Sequence, residues 1–269
     1  MFQKCCTVLV SRRDGVVHCY SISKNMPLNS KFHLPDTETA IRVLNTSSRY
    51  LIVGTVDGSI FLLQFDPQVI RCPLNGCSLS NVVTMGHSDE ISCINWVTLL
   101  EKQYMCVSGY DGFVRLYDIG FHQVFWSHVF KNICITCFYI VQKISTIIIS
   151  YSGKISLFKF DVDNENMMIP MLEIDISQNN IMLMSGNDFD LDRNENIVLA
   201  LSDEFTRLFV ICITFRDFYP KCTYDVEFQG HSSRIASLRW SETPHDEYGY
   251  IINSISTNME SFYCNTFTL

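Results

Sequence analysis

The chain predicts an all-β fold assembled from about six repeated, blade-like sheets of four strands, with seven as the alternative count. Three observations predict it. A seven-residue block recurs in phase, an apolar strand-like run precedes each copy, and the copies are evenly spaced. The clearest block is Asp111-Gly112-Phe113-Val114-Arg115-Leu116-Tyr117. Asp14-Gly15-Val16-Val17-His18-Cys19-Tyr20, Asp57-Gly58-Ser59-Ile60-Phe61-Leu62-Leu63 and Ser152-Gly153-Lys154-Ile155-Ser156-Leu157-Phe158 align with it. Two degenerate copies follow, Asp203-Glu204-Phe205-Thr206-Arg207-Leu208-Phe209 and Asn258-Met259-Glu260-Ser261-Phe262-Tyr263-Cys264. The steps between copies are about 40 to 55 residues, a period typical of blade-built all-β arrays.

Each block reads as a hairpin. Asp-Gly between two apolar runs signals a two-residue turn, because glycine accepts the positive backbone angle that a tight turn needs. The runs before the turns are Thr7-Val8-Leu9-Val10, Leu51-Ile52-Val53, Met105-Cys106-Val107, Ile147-Ile148-Ile149, Ile197-Val198-Leu199 and Ile251-Ile252. They are apolar at successive positions, as expected of strands covered on both faces. Their shortness and punctuation exclude a helical period.

The 269 residues are enough to bury a large core, and one domain spanning 1–269 is expected. The apolar stretch around 144–149 is cut by Gln142, Lys143 and Ser150, too short to span a bilayer, so no membrane insertion is expected. The apolar start is also too short before Arg12-Arg13 for a secretory signal, which predicts an intracellular protein, cytoplasmic or nuclear. A net charge of −8 with scattered cations argues against direct nucleic-acid binding.

The third repeat carries more than a hairpin. Gly86-His87-Ser88-Asp89-Glu90-Ile91 and Trp96 precede Val107-Ser108-Gly109-Tyr110-Asp111-Gly112 and Tyr117-Asp118. This resembles the WD-repeat family of β-propellers, with Tyr-Asp where the family usually has Trp-Asp. Gly230-His231-Ser232-Ser233-Arg234-Ile235 and Trp240 carry a second, fainter copy. The resemblance implies a hydrogen-bond chain through His87, Ser108, Asp111 and Tyr117 that ties the inner strands of a blade to its turn. In the last repeat His231 and Ser254 match, whereas Asn258 and Cys264 replace the other two members, so that chain is expected to be broken. The resemblance also implies a loop-bearing contact face, on which Arg12, Arg13, Asp89, Glu90, Tyr110, Tyr151 and Arg234 are the candidates. The first hairpin turn at Asp14 leaves room for one strand before it, and 261–268 can supply only a third strand of the last blade. An open or incomplete ring, or one segment of a longer propeller, is therefore expected, with the missing strand or blade supplied by a partner or by further sequence.

Other signals fail on physical grounds. Cys134-Ile135-Thr136-Cys137 has zinc-like spacing, but on a predicted strand the two sulfurs point to opposite faces and no second ligand pair follows. Cys72 and Cys77 share a loop without further ligands. Free structural thiols are expected for the twelve cysteines. The acidic runs 161–166 and 188–194 lack the glycine and glutamate of a calcium loop. Asn45-Thr46-Ser47 matches a glycosylation acceptor only by its short pattern, in a chain read as intracellular. His87, Ser108 and Asp111 include the elements of a nucleophilic triad, yet all three fall on the repeat's structural positions and no nucleophile elbow is present.

No catalytic residue, cofactor or metal ligand is therefore expected. The reading is a non-catalytic scaffold that joins other proteins in a multiprotein complex. The alternative is a substrate receptor or reader of peptide motifs. Against its ubiquitin-ligase version, Tyr117-Asp118 is followed by Ile119-Gly120, without the arginine that often docks on the ligase adaptor. An enzyme on a propeller scaffold would need convergent polar groups that the sequence does not offer.

Overall fold

The computed structural model describes residues 7–11, 15–21, 26–34, 39–46, 49–64, 78–83, 86–99, 102–118, 124–130, 133–160, 168–188, 191, 195–215, 219–241 and 251–265. The chain divides into two compact units, residues 1–132 and 133–269.

The first unit holds three antiparallel meanders. The first sheet is β1 (Thr7–Ser11), β2 (Val16–Ser21) and β3 (Met26–His33). The second is β4 (Ile41–Thr46), β5 (Tyr50–Thr55), β6 (Ile60–Gln64) and β7 (Ser78–Val83). The third is β8 (Ile91–Leu99), β9 (Lys102–Gly109), β10 (Phe113–Asp118) and β11 (Val124–Val129).

The second unit repeats the plan. Its first sheet, the fourth of the chain, is β12 (Cys137–Val141), β13 (Thr146–Tyr151), β14 (Lys154–Phe160) and β15 (Met168–Asp175). The fifth is β16 (Ile181–Asn187), β17 (Asn196–Asp203), β18 (Arg207–Thr214) and β19 (Lys221–Gln229). The sixth is β20 (Ile235–Trp240), β21 (Ile251–Ser256) and β22 (Ser261–Asn265). The recurring turn falls between the second and third strands of the four-stranded sheets. By that register β1–β3 match the last three strands of a full sheet, and β20–β22 match the first three.

Why the middle strands are apolar throughout follows from the two-residue period of a strand. On β5, Leu51 and Val53 pack toward the first sheet, while Ile52 between them packs toward the third. On β6, Phe61 and Leu63 share the first set, and Ile60 and Leu62 the second. The second unit does the same. Ile197, Leu199 and Leu201 of β17 join the core with the fourth sheet, and Ala200 joins the core with the sixth. Each such valine, leucine, isoleucine or phenylalanine side chain contributes about 1.5–3 kcal/mol by leaving water. Four of these meanders open on a buried isoleucine, Ile41, Ile91, Ile181 and Ile235, followed at once by a β-bulge. The extra residue bends each first strand where it meets the loop before it.

Among the described residues, helix is limited to a 3₁₀ turn at Gln142–Ile144 and to Leu191, and no helix is long and apolar enough to cross a membrane.

Candidate protein-binding face

The turns between second and third strands are built around one acceptor side chain. Oδ1 of Asp57, Asp111, Asp203 and Asn258 accepts the backbone N–H two residues on, from Ser59 (3.1 Å), Phe113 (3.1 Å), Phe205 (3.0 Å) and Glu260 (3.4 Å). The other side-chain terminus reaches the loop that enters the same sheet. Asp57 accepts from Thr39 Oγ1 at 3.1 Å, Asp111 from Ser88 N at 3.0 Å, and Asp203 from Asn179 Nδ2 at 3.1 Å, while Asn258 Nδ2 donates to Ser232 Oγ at 2.8 Å. One residue thus ties two loops into a common end of each of these four sheets.

The turns are longer than the two residues expected from Asp-Gly. Gly58 N donates to Thr55 O, Gly112 N to Gly109 O and Met259 N to Ser256 O, so the acidic or amide residue sits third in a four-residue turn. The residue after it takes the left-handed conformation, with φ of 81° at Gly58 and 78° at Gly112. Consecutive positive φ, the two-residue form, occurs at Ser152 and Gly153. At Gly58 a side chain would also collide with the His87 carbonyl. In the sixth sheet the same position is occupied by Met259, with φ of 68° and a side chain 84% exposed.

The polar chain expected from the resemblance forms only in part. His87 is enclosed, and its Nδ1 lies 2.9 Å from Asp111 Oδ1 and 2.9 Å from Arg115 Nη1. Nδ1 carries at most one proton, and the carboxylate is the stronger acceptor, so we assign an N–H donated to Asp111. Arg115 Nη1 lies 3.3 Å from Asp111 Oδ2 and its guanidinium rests 4.0 Å over the Phe113 ring. Burial lowers the His87 pKa against the pull of Asp111. Burial opposes ionisation of Asp111, but hydrogen bonding from His87 and the backbone outweighs it and holds the carboxyl far below its ordinary value.

Beyond that pair the chain departs from expectation. His87 Nε2 is buried without a partner, and Ser108 Oγ lies 2.8 Å from Ser92 Oγ instead. Tyr117 Oη donates to Gly86 O at 3.4 Å. In the sixth sheet the two members that match the repeat do meet, with His231 Nε2 2.8 Å from Ser254 Oγ. Because the Ser108 hydroxyl faces Ser92, it is not activated by His87, and this constellation holds the sheet together rather than preparing a nucleophile.

The candidate face residues separate into three groups. Arg12 and Arg13 lie outside the described residues, as do Asp14, Cys72, Cys77 and the run 161–166. Glu90 and Tyr110 come together around Arg42 of β4, and Asp89 adjoins them in sequence. Arg42 Nε pairs with Glu90 Oε1, Arg42 Nη2 donates to Tyr110 Oη at 3.4 Å, and Tyr110 N donates to Glu90 O at 2.9 Å. Asp89 stays exposed, with Oδ1 accepting Glu90 N at 2.7 Å. Sequence reasoning missed Arg42. Its signal was a lone cation one residue after the buried Ile41, at the point where a loop enters a first strand.

Tyr151 is a correction. It is the last residue of β13 and is buried, and its hydroxyl lies 2.7 Å from Ser156 Oγ and donates to Glu173 Oε2 at 2.7 Å. Lys154 completes that group at 2.8 Å from Glu173 and 3.2 Å from Asp175. Burial, reinforced by Glu173, raises the Tyr151 pKa. Arg234 lies in the second unit, exposed on the loop before β20, with its backbone carbonyl accepting Thr257 N at 2.8 Å. Three exposed apolar residues on the same class of turn were also missed: Val56, Phe205 and Met259.

Cys134 was expected inside a strand, but it precedes β12 and is exposed, whereas Cys137 is buried with Sγ 2.9 Å from Ser150 Oγ. The two sulfurs therefore lie in different surroundings, and the described residues contain no group of three or more potential ligands placed for a metal.

Residues 79–118 match the family model "WD domain, G-beta repeat". No curated protein matches the chain. Among solved structures, a chain of a mitotic checkpoint complex is similar with a TM-score of 0.70 at 12% identity, over 97% of this chain and 72% of that one. The computationally designed Ika8 protein gives 0.64 at 13% identity, over 99% and 70%. Sqt1 of Saccharomyces cerevisiae gives 0.66 at 10% identity, over 96% and 68%. At these identities the structures show a shared fold. With six phased antiparallel sheets that shared fold is a β-propeller, in which residues 79–118 match one WD repeat.

Proposed function

We propose that the protein is a non-catalytic scaffold or adaptor that holds other proteins on the loop-bearing ends of its sheets, within a larger assembly. The observation that carries this reading is the cluster of Arg42, Glu90 and Tyr110 beside the exposed Asp89. Arginine and tyrosine are enriched at binding hot spots, and here both are pre-positioned. The turn ties at Asp57 and Asp111 fix the backbone around them, so little ordering is left to occur on contact. Fold alone does not assign a partner.

The test is isolation of the full chain, tagged at its own locus, under mild conditions, with partner stoichiometry measured by mass spectrometry. Partners in fixed ratio, lost with Arg42→Glu combined with Asp89→Lys, support the scaffold. Many partners in substoichiometric amounts would favour a receptor or motif reader instead. Recovery of the chain alone would overturn both.

A further inference from the structure

Met259 occupies a backbone position that glycine fills in four other turns of this chain. Gly15, Gly58, Gly112 and Gly153 take φ of 74°, 81°, 78° and 76°, and Met259 takes 68°. A long side chain is disfavoured there, because its Cβ crowds the following carbonyl. No burial compensates, since the side chain is 84% exposed. Strain of this kind at an exposed position points to a use for the side chain outside the fold.

Its surroundings define that use. Thr257 N bonds to Arg234 O at 2.8 Å, and Asn258 N bonds to Ser233 Oγ at 3.2 Å, so Arg234 and Met259 share one rim of the sixth sheet. Among the described residues no carboxylate pairs with Arg234. The nearby Glu260 is engaged, with its carboxylate accepting Ser232 N at 2.9 Å and Ser232 Oγ at 2.6 Å. Arg234 is thus a cation on this rim with no carboxylate partner among the described residues, and it shares the rim with a protruding, polarisable thioether. Methionine adapts its shape to varied apolar groups, and an arginine guanidinium accepts a carboxylate in fork geometry.

We propose that this rim, residues 232–234 and 257–259, captures an extended peptide segment of a partner protein in which a carboxylate lies next to a bulky apolar side chain. Arg234 takes the carboxylate and Met259 lies against the apolar group. The inference rests on the protein-interaction reading above and names the partner chemistry for one rim.

The test is selection of a random peptide library displayed on phage against the full chain, followed by fluorescence anisotropy with the enriched peptides synthesised. Enrichment of sequences pairing Asp or Glu with an adjacent Leu, Ile or Phe is expected. Arg234→Glu should weaken their binding about tenfold or more, and Met259→Gly by several fold, while Met259→Leu retains it. Thermal melts exclude unfolding as the cause, because Met259→Gly relieves backbone strain and should melt no lower than the parent. Enrichment of other sequences, or binding unchanged in Arg234→Glu and Met259→Gly, overturns the proposal. The stoichiometric complex is scored separately with both variants. If it keeps its partners while the peptides are indifferent to the changes, this rim assignment fails and the scaffold reading stands.

Discussion

The imidazole Nδ1 of His87 and the carboxylate Oδ1 of Asp111 meet at 2.9 Å, with side chains 0% and 3% exposed. Asp111 also receives Ser88 N and Phe113 N, so a single carboxylate joins the entering loop, the turn and the third strand. Removing either partner leaves a buried group unsatisfied, which costs about 1–3 kcal/mol. Asp111→Ala, which abandons more donors, should destabilise at least as much as His87→Ala. Asn258→Ala should cost less, because Asn258 is exposed. Thermal or urea melts of the three variants check the order, and equal losses would contradict it.

The same pair predicts the acid limb of stability. His87 has a folded pKa below its ordinary value near 6.5, so the fold favours the neutral ring. That contribution is complete above about pH 6.5 and is lost as pH falls below it toward the folded pKa. Asp111 is also lowered, so its contribution is present above its ordinary value near 3.8 and is lost only in stronger acid. His231 is lowered in the same direction by burial and adds to the first window. Melting temperature should fall in two stages on acidification. In His87→Gln the first stage should shrink, and an unchanged profile would show that His87 does not titrate with folding.

The two histidines also predict contrasting roles for their serines. Ser254 Oγ contacts His231 Nε2 at 2.8 Å, whereas Ser108 Oγ faces Ser92 and leaves His87 Nε2 alone. Ser254→Ala should therefore destabilise by about 1–2 kcal/mol, and Ser108→Ala by less. Parallel chemical denaturation of the two variants measures the difference.

Much of this architecture was legible in the chain because it rests on local chemistry. The phased Asp-Gly blocks marked hairpins, and the doubly apolar runs such as 51–53 marked strands packed on both faces. Register and side-chain partners were less accessible. Ser108 and Tyr117 occupy the expected repeat positions, yet a hydroxyl bonds whichever acceptor the bulge at Ile91 and Cys93 brings near. Tyr151 read as a loop residue because it adjoins a turn, although burial draws its ring into the sheet. Arg42 carried no motif, since its importance comes from Glu90 and Tyr110, which are distant in sequence. The turn length was misjudged for a related reason. Asp-Gly fixes where φ turns positive, but the hydrogen bond that closes the loop depends on the residues before it.

Met259 supplies the sharpest stability prediction. Its left-handed backbone costs about 1–2 kcal/mol relative to glycine in the folded state. Glycine returns part of that, because it loses more conformational freedom on folding, by about 0.5–1 kcal/mol. The exposed side chain buries little that would be lost. Met259→Gly should therefore stabilise the chain by about 0.5–1 kcal/mol, a rise of roughly 1–4 °C in melting temperature for a protein of this size. Gly58→Ala tests the same conformation in reverse. It adds the left-handed penalty and drives a Cβ into the His87 carbonyl, so its loss should exceed the gain from Met259→Gly. Differential scanning calorimetry of both variants decides the matter. A lower melting temperature for Met259→Gly would show that the methionine side chain contributes more to the fold than its exposure implies.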